Sequence, residues 1–340
     1  MAKSVRMADI AKELGVSTVT VSKALSDQKG VSEEMREKIK ELAAQMGYKS
    51  GGTGKDGGHP SYNIGVLVRE TYIEKYSSFY WEFYQKINTG AGKENCFVLL
   101  EILEAESEVQ LILPKLIQEN KIDGLMILGQ LTTEYLEMLQ EHSNVPRVYM
   151  DFYDRRIPAD SVISNSFYGT YHMTDYLFEM GHAEVGYVGT LLATESITDR
   201  YLGYYKAVME HGKEPCKDWV IADRESHVQM FDKLELPEKL PSAFVCNSDL
   251  AASKLIKALG EKGYRVPEDI SVVGYDDYLY PGLCDIGITT YSVDMERMSQ
   301  VGMEMLLERM EGNESPYIMQ VIEGKFLKRD SVRENKKQEG

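Results

Sequence analysis

Residues 8–25 read ADIAKELGVSTVTVSKAL and decide the fold of the amino-terminal part of the chain. The apolar residues at positions 7, 10, 11 and 14 are spaced as on one face of a short helix, which Gly15 ends. Ser17 can then accept hydrogen bonds from the free N–H groups of a second helix that runs through Leu25. Ser32 can begin a third helix, whose apolar residues recur at helical spacing up to position 46. The spacing therefore predicts one small domain of three helices.

From residue 62 onward, apolar runs of strand length alternate with helical patterns. The predicted strands are Asn63–Val68, Cys96–Ile102, Asp123–Leu128, Arg147–Met150, Ser161–Ser164, Val185–Val188, Ala243–Cys246 and Ser271–Gly274. The predicted helices are Ser107–Glu119, Tyr168–Met180, Thr198–His211, Asp249–Lys262 and Met295–Met310. This alternation indicates parallel sheets covered on both faces. Because about 270 residues are many for one sheet, we expect two α/β lobes with a cleft, and a ligand site at the carboxyl ends of the strands.

A glycine-rich segment separates these two parts of the chain. Residues 50–61 read SGGTGKDGGHPS, with five glycines and no apolar periodicity, which predicts a flexible linker. The segment is not a phosphate-binding loop, because Lys55 is followed by Asp56 and no strand precedes it. We expect a helical domain at residues 1–49, the linker at 50–61, a two-lobed domain at 62–333 and a polar tail at 334–340.

The charge is distributed unevenly along the 340 residues. The chain carries 38 Lys and Arg against 54 Asp and Glu, a net charge of −16. Residues 1–50 hold nine basic and seven acidic residues, a net of +2, which leaves −18 for the remaining 290. An acidic body argues against general nucleic-acid binding, whereas a weakly positive head can bind DNA through a few well-placed contacts.

The sequence offers little support for a membrane protein, an enzyme or a metalloprotein. No apolar run reaches the roughly 18 residues of a membrane span, and charges near the start argue against a signal peptide, so we expect a cytoplasmic protein. The histidines lack HExxH spacing and no GxSxG sequence occurs, so we expect no catalytic residue, no metal and no cofactor. The cysteines match neither a disulfide framework nor a metal site, and we expect buried thiols at Cys96, Cys216, Cys246 and Cys284.

Several short sequences occur in the order that is typical of one bacterial family. They are residues 8–25, Gly181-His182, Asp199-Arg200 with Gly203, Asp249 with Ala252, Val266-Pro267, SVVGYDD at 271–277, Thr289-Thr290 and Arg329-Asp330-Ser331. The chain thus resembles the LacI/GalR family of bacterial transcription regulators over nearly its whole length. The resemblance implies a helix-turn-helix head on a periplasmic-binding-protein-like effector domain, a fold that agrees with the two lobes inferred above. It also implies a homodimer that binds double-stranded operator DNA under the control of a small-molecule effector.

The resemblance assigns DNA contacts to the second helix, which enters the major groove in a helix-turn-helix. The residues in base-reading positions are Thr18, Val19 and Lys23, and the candidates for phosphate contacts are Ser17, Thr20 and Ser22. A Val side chain favours a thymine methyl group and a Lys donates to guanine, although Val19 could also be ordinary helix surface. The segment after residue 49 lacks the family's Pro-Asn and Ala-Arg-x-Leu hinge sequences, and its glycines disfavour a hinge helix.

The resemblance also assigns effector contacts at the ends of the predicted strands. Arg200 is the leading ligand residue, since a guanidinium can donate two hydrogen bonds to vicinal hydroxyls or a carboxylate. Asp249 and Asp276 follow predicted strands, where helix capping and turn formation are the alternative roles. Asn165 lies at the corresponding end of another strand, although Ser164 replaces an Asp that is frequent in the family.

An aromatic-rich stretch follows the first predicted strand, in a loop that leads to a helix. Of its rings, Phe79 or Trp81 could stack on a sugar or a purine in the cleft, and burial against a helix explains them equally well. We expect the effector to be a sugar or sugar derivative, with a purine or a partner protein left open. A cytosolic sugar-binding protein or an enzyme is the alternative from another functional class.

Overall fold

The computed structural model describes residues 7–25, 30–46, 61–73, 78–225, 230–278 and 282–335. The chain divides into two compact units, residues 1–61 and residues 62–340. Apart from Ser61, the predicted linker lies outside the described residues. Among the helices that the structure describes, none is both long and apolar enough to cross a lipid bilayer.

The first unit contains the three helices that the sequence predicts. They are α1 (Met7–Leu14), α2 (Thr18–Leu25) and α3 (Glu33–Gln45). Their common core includes Ile10, Val21 and Ile39, all without exposed surface, and Leu25 packs against it. Gly15 ends α1 with a φ of 63°, a left-handed conformation that costs glycine little, and the chain turns there into α2.

The second unit alternates strands and helices along the chain. The strands are β1 (Asn63–Arg69), β2 (Phe97–Leu103), β3 (Gly124–Leu128), β4 (Arg147–Met150), β5 (Asp160–Ser164), β6 (Val185–Val188), β7 (Val220–Ile221), β8 (Ala243–Cys246), β9 (Ser271–Val273), β10 (Thr290–Ser292), β11 (Met319–Ile322) and β12 (Lys325–Leu327). The helices are α4 (Phe79–Lys93), α5 (Ala105–Val109), α6 (Lys115–Gln118), α7 (Thr133–His142), α8 (Ser166–Glu179), α9 (Glu195–Glu210), α10 (Asp249–Glu261) and α11 (Met295–Met310).

These strands form two parallel sheets and one short antiparallel pair. The first sheet has the order β11-β5-β4-β3-β1-β2 and the second has the order β7-β6-β8-β9. Strands β10 and β12 pair with each other in antiparallel fashion. Together with the helical head, this arrangement confirms the predicted fold class, a small all-α domain plus a two-lobed α/β domain with parallel sheets.

The predicted strands are all present with ends within one residue, but one predicted helix is wrong. The predicted helix Ser107–Glu119 is two short helices, α5 and α6. Leu111 takes a left-handed φ of 55° between them, and Pro114 precedes α6, where it cannot donate a hydrogen bond to α5. The apolar residues of this segment keep a helical spacing, although the helix itself is interrupted between Leu111 and Pro114.

Two further expectations need correction in detail. Phe79 and Trp81 lie in the first turn of α4 rather than in a loop. Cys216 and Cys284 are only half-buried, whereas Cys96 and Cys246 are buried. In the segment predicted as a polar tail, the backbone N–H of Asn335 donates a hydrogen bond of 2.7 Å to the carbonyl oxygen of Met180, the residue after α8.

Candidate functional site

The amino-terminal end of α2 is fixed by the residue before it. The hydroxyl oxygen of Ser17 accepts a hydrogen bond of 3.1 Å from the backbone N–H of Thr20, and the two hydroxyl oxygens are 2.9 Å apart. This is the helix cap that the sequence predicts at Ser17. Lys23 is exposed in the last turn of α2. The side chains of Thr18, Val19 and Ser22 lie outside what the structure describes.

In the second unit, Arg200 of α9 is the centre of a polar cluster at the carboxyl ends of the strands. Its side chain is only 6% exposed. Nη1 donates to the carbonyl oxygen of Asn247 after β8, at 2.6 Å, and Nε donates to the hydroxyl of Ser166 at the start of α8, at 3.3 Å. The guanidinium carbon lies 3.9 Å from the ring centre of Tyr275, which follows β9. These contacts hold the guanidinium plane in one orientation.

Of the two predicted carboxylates, Asp276 lies near this arginine, and Asp249 lies near Asp276. Asp276 follows β9 with a left-handed φ of 92°, and its Oδ1 accepts from the backbone N–H of Tyr278 at 3.0 Å. Burial raises the pKa of Asp276 to about 7, although the charge of Arg200 opposes the shift. Asp249 begins α10 and is 2% exposed, and burial followed by the charge of Asp276 raises its pKa well above the usual range. The pair therefore favours a protonated carboxyl group, which can donate as well as accept hydrogen bonds.

Asp151 is a third carboxylate of this cluster, and it was not among the residues predicted from the sequence. It follows β4 with a left-handed φ of 67°, is 7% exposed and accepts a hydrogen bond of 2.9 Å from the hydroxyl of Tyr80. Burial raises the pKa of Asp151, while Arg200 and the Tyr80 hydroxyl lower it. The signal was available, because Asp151 comes directly after the predicted strand Arg147–Met150, just as Asp276 follows soon after β9.

A small pocket opens beside these groups between the two sheets. Its lining combines carboxylates, hydroxyls and two apolar side chains: Asp151, Phe152, Tyr153, Ile163, Ser164, Ser166, Glu195, Ser196 and Asp199. Burial, followed by the charge of Glu195, raises the pKa of Asp199. Burial and the same two carboxylates raise the pKa of Tyr153 to about 12, so this hydroxyl keeps its proton at neutral pH. The pocket thus offers many oxygen acceptors next to one buried cation.

The other predicted effector residues have different surroundings. Asn165 caps α8, because its Oδ1 accepts from the backbone N–H of Tyr168 at 3.3 Å, and its amide donates to Glu323 at 3.1 Å. Phe79 is partly buried against the ring of Tyr278, with ring centres 6.4 Å apart.

Trp81 is 38% exposed on α4 and packs beside Tyr84, with ring centres 5.5 Å apart. The structure places Asp276 beside both Arg200 and Asp249, and it places Phe79 against Tyr278, two residues after Asp276. It does not place Asn165 or Trp81 against the arginine.

A three-helix head and a two-lobed domain with an arginine and carboxylates at the strand ends define a class of protein, the DNA-binding regulators that carry a ligand-binding domain. Two family models match the chain: the lacI family of bacterial regulatory proteins at residues 6–50, and the periplasmic binding protein-like domain at residues 174–332. The chain belongs to the LacI/GalR family and is a DNA-binding transcription repressor of that family.

Curated relatives match over almost the full length. The HTH-type transcriptional repressor PurR of Vibrio cholerae serotype O1 (strain ATCC 39315 / El Tor Inaba N16961) is 28% identical over 331 residues, which cover 96% of this chain and 97% of the relative. PurR of Vibrio campbellii is 27% identical over 330 residues, which cover 96% of this chain and 98% of the relative.

Solved structures share the fold at low identity. The transcriptional regulator CelR in complex with cellobiose has a TM-score of 0.66 and 20% identity, and the match covers 96% of this chain and 99% of that one. The lac repressor dimer bound to operator and the anti-inducer ONPF has a TM-score of 0.65 and 22% identity, with coverage of 97% and 100%. A LacI family regulator from Enterococcus faecium with bound ribose has a TM-score of 0.63 and 22% identity, with coverage of 81% and 100%.

Proposed function

We propose that this repressor binds a pseudo-palindromic operator as a homodimer and that a small hydroxyl-rich effector, a sugar or sugar derivative, controls its affinity for DNA. It acts in the cytoplasm and without catalysis. In the head, Thr18, Val19 and Lys23 read base edges, while Ser17, Thr20 and Ser22 contact phosphates. The hydrogen bond from Thr20 to the Ser17 hydroxyl supports this assignment indirectly. It fixes the first turn of α2, the helix that carries the other proposed contact residues.

The observation that carries the proposal is the meeting of both lobes at Arg200. Asn247 and Tyr275 hold the arginine from the second sheet, and Asp151 faces it from the first sheet. A ligand between Arg200 and Asp151 touches both lobes, so its affinity depends on how they are arranged. A coupling of about 1–3 kcal/mol between effector and operator would change operator affinity 5- to 150-fold.

The chemistry of the pocket favours a neutral, hydroxyl-rich effector. Carboxylates accept hydrogen bonds from sugar hydroxyls, and a guanidinium donates to two oxygens at once. An anionic ligand would face Asp151, Glu195 and Asp199, and among the described residues of this cluster Arg200 is the one buried cation. Two regulators that share this fold were solved with cellobiose and with ribose, which supports the same class of ligand.

The proposed contacts include residues that would have to join the site. Arg200, Asp249 and Asp276 form its polar part. Phe79, which already contacts the loop after Asp276, and Trp81 would supply an apolar face, and Asn165 would supply an amide. Closer contact with the last two requires rearrangement of α4 or of the start of α8 when the effector binds.

A purine base is a second candidate, favoured by the rings that surround Asp151. The ring centres of Tyr72 and Tyr80 are 4.7 Å apart, and Phe79 is 5.2 Å from Tyr80. Such faces stack on purines, whose ring nitrogens can pair with a carboxyl group. This candidate keeps the site and changes only the ligand.

A ligand screen on the full-length protein tests the proposal. Neutral sugars, phosphorylated sugars and purine bases are added separately, and thermal unfolding is followed; a ligand at 100 times its dissociation constant stabilises by about 2.7 kcal/mol. We expect stabilisation by a neutral sugar, and its loss in Arg200→Ala and Arg200→Lys. Arg265→Ala is the matched control, because Arg265 is exposed and pairs only with Asp269 among the described residues.

Operator affinity separates the two roles of the molecule. Arg200→Ala should leave operator affinity nearly unchanged while it abolishes the effector response. Equal loss of both, or stabilisation by a phosphorylated sugar that survives Arg200→Ala, would contradict the proposed site. Stabilisation by a purine base alone would replace the sugar with the second candidate.

A further inference from the structure

We infer that Gln130 is a positioning residue of the effector response, because it holds the helix that carries Arg200 against the opposite lobe. Gln130 lies in the loop after β3 of the first sheet, and α9 packs on the second sheet. The effect of Gln130 on effector affinity rests on the proposed effector site. The contact itself is a feature of the fold.

The contact joins a side chain of one lobe to a backbone group of the other. Oε1 of Gln130 accepts a hydrogen bond of 3.1 Å from the backbone N–H of Glu195, the first residue of α9. The first N–H groups of a helix have no acceptor within the helix. The cap residue Thr194 accepts from Ile197 at 3.2 Å, so the N–H of Glu195 receives its acceptor from across the cleft.

The loop that presents Gln130 is held by two tyrosines. Gly129 has a left-handed φ of 79°, and a Cβ built there would lie 2.6 Å from the ring of Tyr72 and 3.1 Å from the ring of Tyr80. Only glycine fits under both rings in this conformation. The hydroxyl of Tyr72 donates to the carbonyl oxygen of Gln130 at 3.0 Å. The backbone of Gln130 is therefore fixed, and its side chain extends from a rigid support.

Each partner in this contact also carries an effector-site group. On the first lobe, the N–H of Gly129 donates to the carbonyl oxygen of Met150 at 2.9 Å, directly before Asp151, and Tyr80 donates to Asp151. On the second lobe, α9 begins at Glu195 and carries Arg200 about one and a half turns later. Separation of the lobes would move Asp151 away from Arg200 and break the Gln130 contact at the same time.

The contact therefore favours the lobe arrangement in which Arg200 and Asp151 face each other. Without the Gln130 side-chain oxygen, only water can accept from the N–H of Glu195. The free-energy preference for this arrangement of the lobes is then lost. Gln130 does not need to touch the effector to change its affinity, because it changes the population of the arrangement that binds.

Hydrogen exchange of the effector-free, full-length protein tests this role. Gln130→Met removes the acceptor and keeps the length of the side chain, and Gln85→Met makes the same replacement at an exposed glutamine of α4. We expect amides in the first turn of α9 to exchange about three- to tenfold faster in Gln130→Met, with α10 unchanged. Gln85→Met should match the wild type. Gln130→Glu keeps an oxygen acceptor, so it should restore part of the protection.

Unchanged exchange at the start of α9 in Gln130→Met would overturn the inference. Equal acceleration throughout the second unit would also overturn it, since general destabilisation needs no contact at Glu195. Neither result depends on DNA or on a ligand, so failure here is distinct from failure of the proposed function. Small-angle scattering of the same variants adds a second measure, because loss of the contact should increase the radius of gyration of Gln130→Met only.

Discussion

The pH dependence of stability should reveal the buried carboxyl group of Asp276. Burial raises its pKa from 3.8 to about 7 in the folded protein, whereas the unfolded chain keeps the ordinary value. Well below pH 3.8 the carboxyl group is protonated in both states and makes the free energy of unfolding no more dependent on pH. As the pH rises toward 7, the unfolded state loses this proton first, so the free energy of unfolding falls. Above pH 7 the folded state is ionised as well, and the loss in the free energy of unfolding reaches its full value.

The size of this cost follows from the shift. A change of one in pKa corresponds to about 1.4 kcal/mol, which makes the full effect about 4 kcal/mol. Partial exposure of Asp276 and its interaction with Asp249 reduce this, and we expect about 2 kcal/mol to be lost between pH 5 and pH 8. Asp276→Asn removes the charge, keeps the oxygen that accepts from Tyr278, and tolerates the left-handed φ.

Urea unfolding at pH 5 and pH 8 measures the effect. Both tryptophans, Trp81 and Trp219, lie in the second unit, so their fluorescence reports this unit alone. The wild type should lose about 2 kcal/mol more than Asp276→Asn over this range. Asp218→Asn, at an exposed site, should behave as the wild type. An equal loss in the wild type and Asp276→Asn would contradict a raised pKa of Asp276, because it would mean that this carboxyl group is already ionised at pH 5.

Three other substitutions test separate parts of the account. Lys23→Ala should weaken operator binding by about 1–3 kcal/mol, which fluorescence anisotropy with a labelled duplex measures, while unchanged affinity would remove Lys23 from the interface. Glu108→Gln should lower the free energy of unfolding by about 3 kcal/mol, because Glu108 and Arg69 form a buried pair at 2.5 Å, whereas exposed Glu106→Gln should change it by less than about 0.5 kcal/mol. Gly203→Ala places a Cβ 2.1 Å from the carbonyl oxygen of Phe167, so it should lower the melting temperature. Gly260→Ala, whose Cβ meets no atom within 4 Å, should leave the melting temperature unchanged. Equal effects of the two substitutions would show that α8 and α9 do not need to cross closely at Gly203.

The sequence predicts eight of the twelve described strands of the second unit, because their apolar runs are short and bounded by polar residues, and it misses β7, β10, β11 and β12. It fails at Ser107–Glu119, where Leu111 and Pro114 break a helix that apolar spacing alone continues. Propensity and spacing describe local preference, whereas the break allows Glu108 of α5 to pair with Arg69 while Ile117 of α6 packs in the core of the first sheet. Such tertiary requirements leave no periodic signal in the sequence.

The candidate site also has a part that can be predicted from the sequence and a part that cannot. The rule that ligands bind at strand ends leads to Asp249 and Asp276, and it would have led to Asp151 if applied after every strand. The partners of Arg200 were beyond prediction, because one of them is the backbone carbonyl of Asn247 and another is the hydroxyl of Ser166. A backbone group has no sequence signature. The contact of Gln130 with the N–H of Glu195, 65 positions away, is hidden for the same reason.

Selection of DNA from a random duplex library by the full-length protein tests sequence-specific operator binding without any assumption about the effector. We expect enrichment of a pseudo-palindromic sequence that binds two chains per duplex, with an affinity that falls steeply as salt rises, because basic residues of the head displace counterions from the phosphates. Enrichment of no sequence at low or moderate salt, or of sites bound equally well by a protein that lacks residues 1–49, would contradict it.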